Sequence, residues 1–162
     1  TSDAFFAQAR ERLPEDPIDL AFIDGMHEFS QVLRDFMNVE SHSTAQTVIA
    51  IHDTIPFDEV TQRPDREHGF YTGDVWKAVA ALRRHRQDLK VVTIPTTPSG
   101  LTLIFNPDPA NRTLWDNYDA IVADMHAMTY EEFDQDRKTH LNITSNDMKL
   151  LDELLCERAQ AA

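Results

Sequence analysis

Apolar and polar residues along this chain change their period in blocks, and those changes mark out its elements. Phe5, Phe6, Ala9 and Leu13 recur at helical spacing, with Ser2 or Asp3 placed to cap the start. Residues 3–13 are therefore predicted to be a helix, ended by Pro14 and Pro17. The short apolar runs within 18–24 and 47–52 predict strands buried on both faces, as in a parallel sheet. Between them Phe29, Val32, Leu33, Phe36 and Met37 form one stripe of a helix over 27–42. Residues 56–73 lose that periodicity and carry Arg63, Asp65, Arg66, Glu67 and His68. A loop of this length points to a lid, a binding loop or a mobile segment, with a solvated loop as the plainer reading of its charges.

Asp74 is placed to cap the next helix, whose apolar face holds Val75, Trp76, Val79 and Leu82. Asp74 and Lys77 read as a cap and a surface pair, and Trp76 as core. The run Arg83, Arg84, His85 and Arg86 complements the helix dipole and reads as structural. Residues 90–94 and 101–105 are predicted strands joined by the loop from Pro95 to Gly100. Leu114, Tyr118, Ile121, Val122 and Met125 mark one later helix; Met148, Leu151 and Leu155 mark the last, with Cys156 a packing residue on it. The acidic stretch 130–137 reads as a solvated helix or loop. Strands alternating with helices imply right-handed crossovers and an α/β fold with a mostly parallel sheet, closed by an antiparallel hairpin.

Chemistry gathers at two strand ends. The first predicted strand closes on Asp24-Gly25-Met26-His27 and the second on His52-Asp53-Thr54. In open α/β sheets, ligands bind outside the carboxyl ends of the strands. Asp24, His27, His52 and Asp53 should therefore share one functional edge. Asp24 reads as a metal or substrate group, or as an N-cap, and Gly25 as a turn glycine. His27 reads as a base or ligand, or as an ordinary polar residue at a helix start. Neighbours on a strand point to opposite faces, so only one of His52 and Asp53 faces the site unless the strand has ended there. Asp53 is favoured as ligand or base.

The 162 residues fit one domain, and 41% apolar residues suffice for a core. No run approaches the ~18 apolar residues of a membrane span, and Thr1-Ser2-Asp3 lacks the layout of a signal peptide. A single cysteine allows no intrachain disulfide and fits a cytoplasmic location. Fifteen Lys and Arg against 28 Asp and Glu give −13, which argues against nucleic acid or an anionic membrane as partner.

The element order, with Asp24-Gly25-Met26-His27 and His52-Asp53 at its strand ends, resembles the C-terminal half of the class I, Rossmann-like S-adenosylmethionine-dependent methyltransferases. The closer likeness is to the branch whose fourth strand ends in Asp-Gly-x-His and whose fifth ends in His-Asp; catechol O-methyltransferase is a more distant one. The resemblance covers residues 1–106 and implies a helical extension over 107–162. It implies that Ser2, Asp3 and Asp24 contact the cofactor. It further implies that Asp24, His52 and Asp53 occupy magnesium-ligand positions, with Asp53 or His27 as base. The implied reaction is methyl transfer from S-adenosylmethionine to a hydroxyl on a small molecule or sugar, assisted by magnesium or a transition metal. The departures are definite. The four glycines, 25, 69, 73 and 100, form no G-x-G, and no counterpart of the ribose-binding acid is found. Imidazole at His52 suits zinc, iron or manganese better than magnesium. The resemblance thus implies that the family's first three strands are absent and that 18–24 forms an exposed edge. Its partner would be the missing N-terminal half or a second copy, and the isolated fragment would be inactive. Two further readings are a metal-dependent hydrolase or hydroxylase using Asp24, His27, His52 and Asp53, and a non-catalytic half-domain that binds a partner.

Overall fold

The computed structural model describes residues 1–8, 13, 17–63 and 69–159. The described elements are α1 (Ser2–Phe6), β1 (Ile18–Ile23), α2 (Phe29–Glu40), β2 (Ser43–His52), α3 (Trp76–His85), β3 (Lys90–Ile94) and β4 (Leu101–Phe105). Four helices follow: α4 (Thr113–Ala127), α5 (Tyr130–Gln135), α6 (Arg137–Leu141) and α7 (Met148–Ala159). The strands form one sheet in the order β1-β2-β4-β3. β1 and β2 are parallel; β4 runs antiparallel to both β2 and β3, and is inserted between them. Three strands therefore run one way and one opposes them, a mixed α/β arrangement compatible with a Rossmann-like fold.

Two apolar cores sit on the two faces. Phe29 and Phe36 of α2, Trp76 and Leu82 of α3, Met125 of α4 and Phe133 of α5 fill the first, against Ile49, Ile51 and Ile104 of the sheet. Val48, Ala50, Val92, Ile94, Leu103 and Phe105 form the second, beneath Leu154 of α7. β2 is buried on both faces because both cores meet it, as the apolar run Val48–Ile51 predicts.

β1 departs from that prediction. Ala21 and Ile23 face the first core, but Leu20 and Phe22 are 68% and 60% exposed. The strand lies at the sheet's edge and its second face is open. The opposite edge is dressed: Thr93 of β3 donates its N–H to Asn142 O at 3.2 Å and accepts from Thr144 N at 2.9 Å.

Other local differences have simple causes. Thr1, not Ser2 or Asp3, caps α1, its Oγ1 accepting from Ala4 N at 3.2 Å. Ala9 and Pro14 lie outside the described residues. Asp74 caps α2 from a distance, accepting from Phe29 N at 2.8 Å, instead of its own helix. Lys77 is buried, its ammonium over the rings of Phe29 and Trp76 at 5.7 and 5.5 Å, so no surface pair forms. The acidic stretch becomes two short helices: a Thr129–Glu132 capping box starts α5, and Phe133 is fully buried against Trp76, ring centroids 4.1 Å apart. Cys156 is exposed and does not pack. Among the described residues no helix is long and apolar enough to cross a membrane.

Candidate functional site

The parallel register brings the two signatures together. Ile23 pairs with Ile51, so Asp24 and His52 follow side by side at the ends of β1 and β2. β2 stops at His52, and Asp53 turns into the left-handed region at φ 58°. The alternation of the strand is thereby broken, and both His52 and Asp53 reach one side. His27 is also left-handed, at φ 55°. Such backbone is uncommon for residues other than glycine, though Asp and His tolerate it better than most, and it collects at functional sites.

The side chains converge. His27 Nε2 lies 3.2 Å from Asp24 Oδ1 and 3.1 Å from Asp53 Oδ2. His52 Nδ1 lies 3.6 Å from Asp24 Oδ1 and 3.3 Å from Asp53 Oδ2. Asp24, His27 and Asp53 each offer a ligand atom within 4.8 Å of the others. Asp53 is nearly buried, whereas Asp24 opens to solvent, so the cluster has a dry wall and a wet mouth. Among the described residues, the buried side-chain nitrogen and oxygen atoms with no hydrogen-bond partner are His27 Nδ1, His52 Nδ1 and Thr54 Oγ1. All three belong to the cluster or adjoin it. Folded proteins pair nearly all buried polar atoms, and the exceptions gather where chemistry or an ion is served.

Residues from outside the two signatures hold the site in shape. The Ser99 hydroxyl, from the loop between β3 and β4, donates to Asp53 Oδ1. The Tyr71 ring stacks on His27 with centroids 5.1 Å apart, and its hydroxyl donates to Met26 O at 3.1 Å. Gly73, at φ 61°, presses so closely on this turn that a Cβ there would lie 1.8 Å from His27 O. Gly25 carries no such constraint: a Cβ at that position would only touch Asp35 Oδ2 at 3.5 Å. Asp24 does not cap α2, since Asp74 does. Burial raises the Asp74 carboxyl above its ordinary pKa, although the Phe29 N–H and Lys77 oppose that shift.

Ser2 and Asp3 stand apart from the four-residue cluster. Ser2 Oγ and Asp3 Oδ1 both accept from Gln31 Nε2 at 3.2 Å, and Arg34 lies 3.6 Å from Asp3. Gln31 also donates to Asp35, the residue beside Gly25, so Ser2 and Asp3 reach the Asp24 turn through α2. Arg66 and His68 fall outside the described residues; Arg63 is exposed and 3.5 Å from Glu59. Ser99, Tyr71 and Gly73 were not singled out from sequence. Each acts on a residue roughly 45 positions away, a relation that no local pattern carries.

Comparison with known proteins bears on this edge directly. Residues 2–54 match a family model described as a methyltransferase domain. This match supports a class I S-adenosylmethionine-dependent methyltransferase. The matched segment encloses Asp24, His27, His52 and Asp53 and ends one residue past the last of them. The chain is 33% identical over 78 residues to the uncharacterized protein y4gI of Sinorhizobium fredii (strain NBRC 101917 / NGR234). That alignment covers 48% of this chain but spans only 8% of the relative's length. No solved structure matches the chain. The hydrolase, hydroxylase and non-catalytic readings are not favoured by these matches.

Proposed function

We propose that this chain forms the acceptor side of an S-adenosylmethionine-dependent O-methyltransferase acting on a hydroxyl of a small molecule or sugar, with a divalent cation at its strand ends. The observation that carries this reading is the convergence of Asp24 Oδ1, His27 Nε2 and Asp53 Oδ2 inside the segment that matches a methyltransferase domain.

The donor set suits a cation. Atoms bound to one ion at about 2.0–2.2 Å sit about 2.8–3.6 Å apart at octahedral or tetrahedral angles. The four contacts among these side chains run from 3.1 to 3.6 Å. His52 Nδ1 lies 3.6 and 3.3 Å from the two carboxylates yet makes no hydrogen bond. Two oxygens with one or two imidazole nitrogens favour manganese, iron or zinc over magnesium.

S-adenosylmethionine supplies the methyl group as a sulfonium, and a cation supplies Lewis acidity to the acceptor oxygen. Asp24, His27 and Asp53 would hold the cation, with His52 beside them as a further donor. In the cation-free form of this reading, Asp53 or His27 instead takes the proton of the acceptor hydroxyl. Asp24, with Ser2 and Asp3, contributes to the cofactor side. Transfer from a sulfonium needs an aligned approach, so the walls around this cluster contribute to rate by orientation. The open edge of β1, with Leu20 and Phe22, is the surface at which the other half of the domain or a second copy completes the sheet.

The test is formation of S-adenosylhomocysteine from S-adenosylmethionine across a panel of hydroxylated acceptors, with each divalent metal and with excess chelator. Turnover that stops in chelator and returns with manganese, iron or zinc supports the reading. Undiminished turnover in chelator removes the cation and leaves the general-base form. Metal binding without any affinity for S-adenosylmethionine in the whole protein would end the methyltransferase reading.

A further inference from the structure

We infer that Ser99 is the positioning residue of the site: its hydroxyl fixes the Asp53 carboxylate so that Oδ2, and not Oδ1, faces the cation. The inference rests on the reading of Asp53 as a ligand given above.

A carboxylate has two equivalent oxygens and turns easily about its last torsion. At Asp53 the equivalence is broken. Oδ1 accepts from Ser99 Oγ, while Oδ2 faces His27 Nε2 at 3.1 Å and His52 Nδ1 at 3.3 Å. One oxygen is thus committed to the β3–β4 loop and the other to the site. Ser99 is only 1% exposed, so its hydroxyl is shielded from bulk solvent.

The loop that presents Ser99 is built to hold it there. Ile55 N donates to Ser99 O at 2.7 Å, tying the loop to the segment just past Asp53. Gly100 N donates to Thr96 O at 2.9 Å and closes the turn. Gly100 itself adopts φ 76°, and a Cβ there would come within 2.6 Å of the Ile55 side chain. These are backbone contacts. Removing the Ser99 hydroxyl leaves them in place and deletes only the bond to Asp53. Hydrogen bonds to ligating carboxylates orient them, and their loss commonly lowers metal affinity about 10–100-fold.

Cobalt(II) serves as the probe, because its visible absorption reports both affinity and ligand geometry. The chain is titrated with cobalt(II) as wild type and as Ser99→Ala, Ser99→Thr, Ser99→Val and Asp53→Asn, with thermal unfolding recorded for each. The expected result is about 10–100-fold weaker binding and an altered spectrum in Ser99→Ala. Thr and Val share one shape and differ in the hydroxyl, so any packing cost of the added methyl is common to both. Ser99→Thr should therefore bind more tightly than Ser99→Val, and this pair decides the matter if Ser99→Ala does not fold. Equal affinity and equal spectra in Ser99→Thr and Ser99→Val, or in wild type and Ser99→Ala, would overturn the assignment of Ser99 alone. Wild type that binds cobalt no better than Asp53→Asn would overturn the metal reading and this inference with it.

Discussion

Two clusters of charged or titratable side chains sit at opposite ends of the strands, and they are finished differently. Where β2 and β3 begin, Arg86 and Glu40 are both buried, at 1% and 3% exposure. Their bond is bidentate, at 2.6 and 2.7 Å; Asp88 takes the remaining side of the guanidinium, and Glu40 also accepts from Asp108 N. Burial pulls the Arg86 pKa down, but the hydrogen bonds it donates to Asp88 and Glu40 outweigh it, and the net shift is upward. Where β1 and β2 end, two acids and two imidazoles crowd together, and three buried polar atoms there find no partner. A satisfied network fixes a fold. A network left open in a closely held frame is one that expects another group.

Breaking each cluster should separate these roles. Asp53→Asn should cost about 10²–10⁴-fold in methyl transfer, the range expected of a positioned base, with little change in the urea midpoint. If the two move together instead, the contrast fails. Arg86→Ala leaves Glu40 buried and unpaired and should cost about 3–5 kcal/mol of stability by urea unfolding. The double change Arg86→Met with Glu40→Leu should recover much of that loss, and the protein that folds should bind cobalt(II) as wild type does.

Smaller effects sharpen the comparison. Gly73→Ala would set a Cβ against His27 O. It should cost more than ~1 kcal/mol and weaken cobalt(II) binding, showing that the frame around the open cluster is itself tight. The Asp74 carboxyl is raised above 3.8, chiefly by burial, so the folded chain holds this proton more firmly than the unfolded one. Its contribution to stability is full below the ordinary carboxylate value and is lost as pH rises through the raised one. Asp74→Asn should flatten that part of the stability profile, while the acceptor for Phe29 N is kept. Last, Leu20→Lys on the open face of β1 should lower self-association of the chain in light scattering, and an unchanged profile would discount that edge as an interface.

Much of the fold was legible in local pattern. Residues 90–94 and 101–105 are strands with the predicted bounds, and the stripe from Phe29 to Met37 is the buried face of α2. The strand-end signatures were legible too: Asp24, His27, His52 and Asp53 do meet at one edge. Less legible were features that depend on what lies across the chain. By pattern alone the run at 18–23 reads like that at 47–52; it was the family resemblance that implied an exposed edge there, and β1 is indeed an edge strand while β2 is central. Apolar content does not say which neighbours will arrive. The same holds for Asp74, which caps a helix 45 residues away, and for Cys156, which lies on the outward side of its helix.

The sequence by itself determined the element order, the mixed α/β class and the four residues at the strand ends. These follow from periodicities and short-range chain geometry, which act over a few residues. Only the tertiary structure decided that Asp53, just past the predicted strand end, turns to the same side as His52, that Asp53 Oδ1 is held by Ser99, and that Tyr71 and Gly73 close on His27. Those contacts join segments about 45 residues apart. Their energies exist only once the sheet has assembled and burial has made each unpaired polar atom costly.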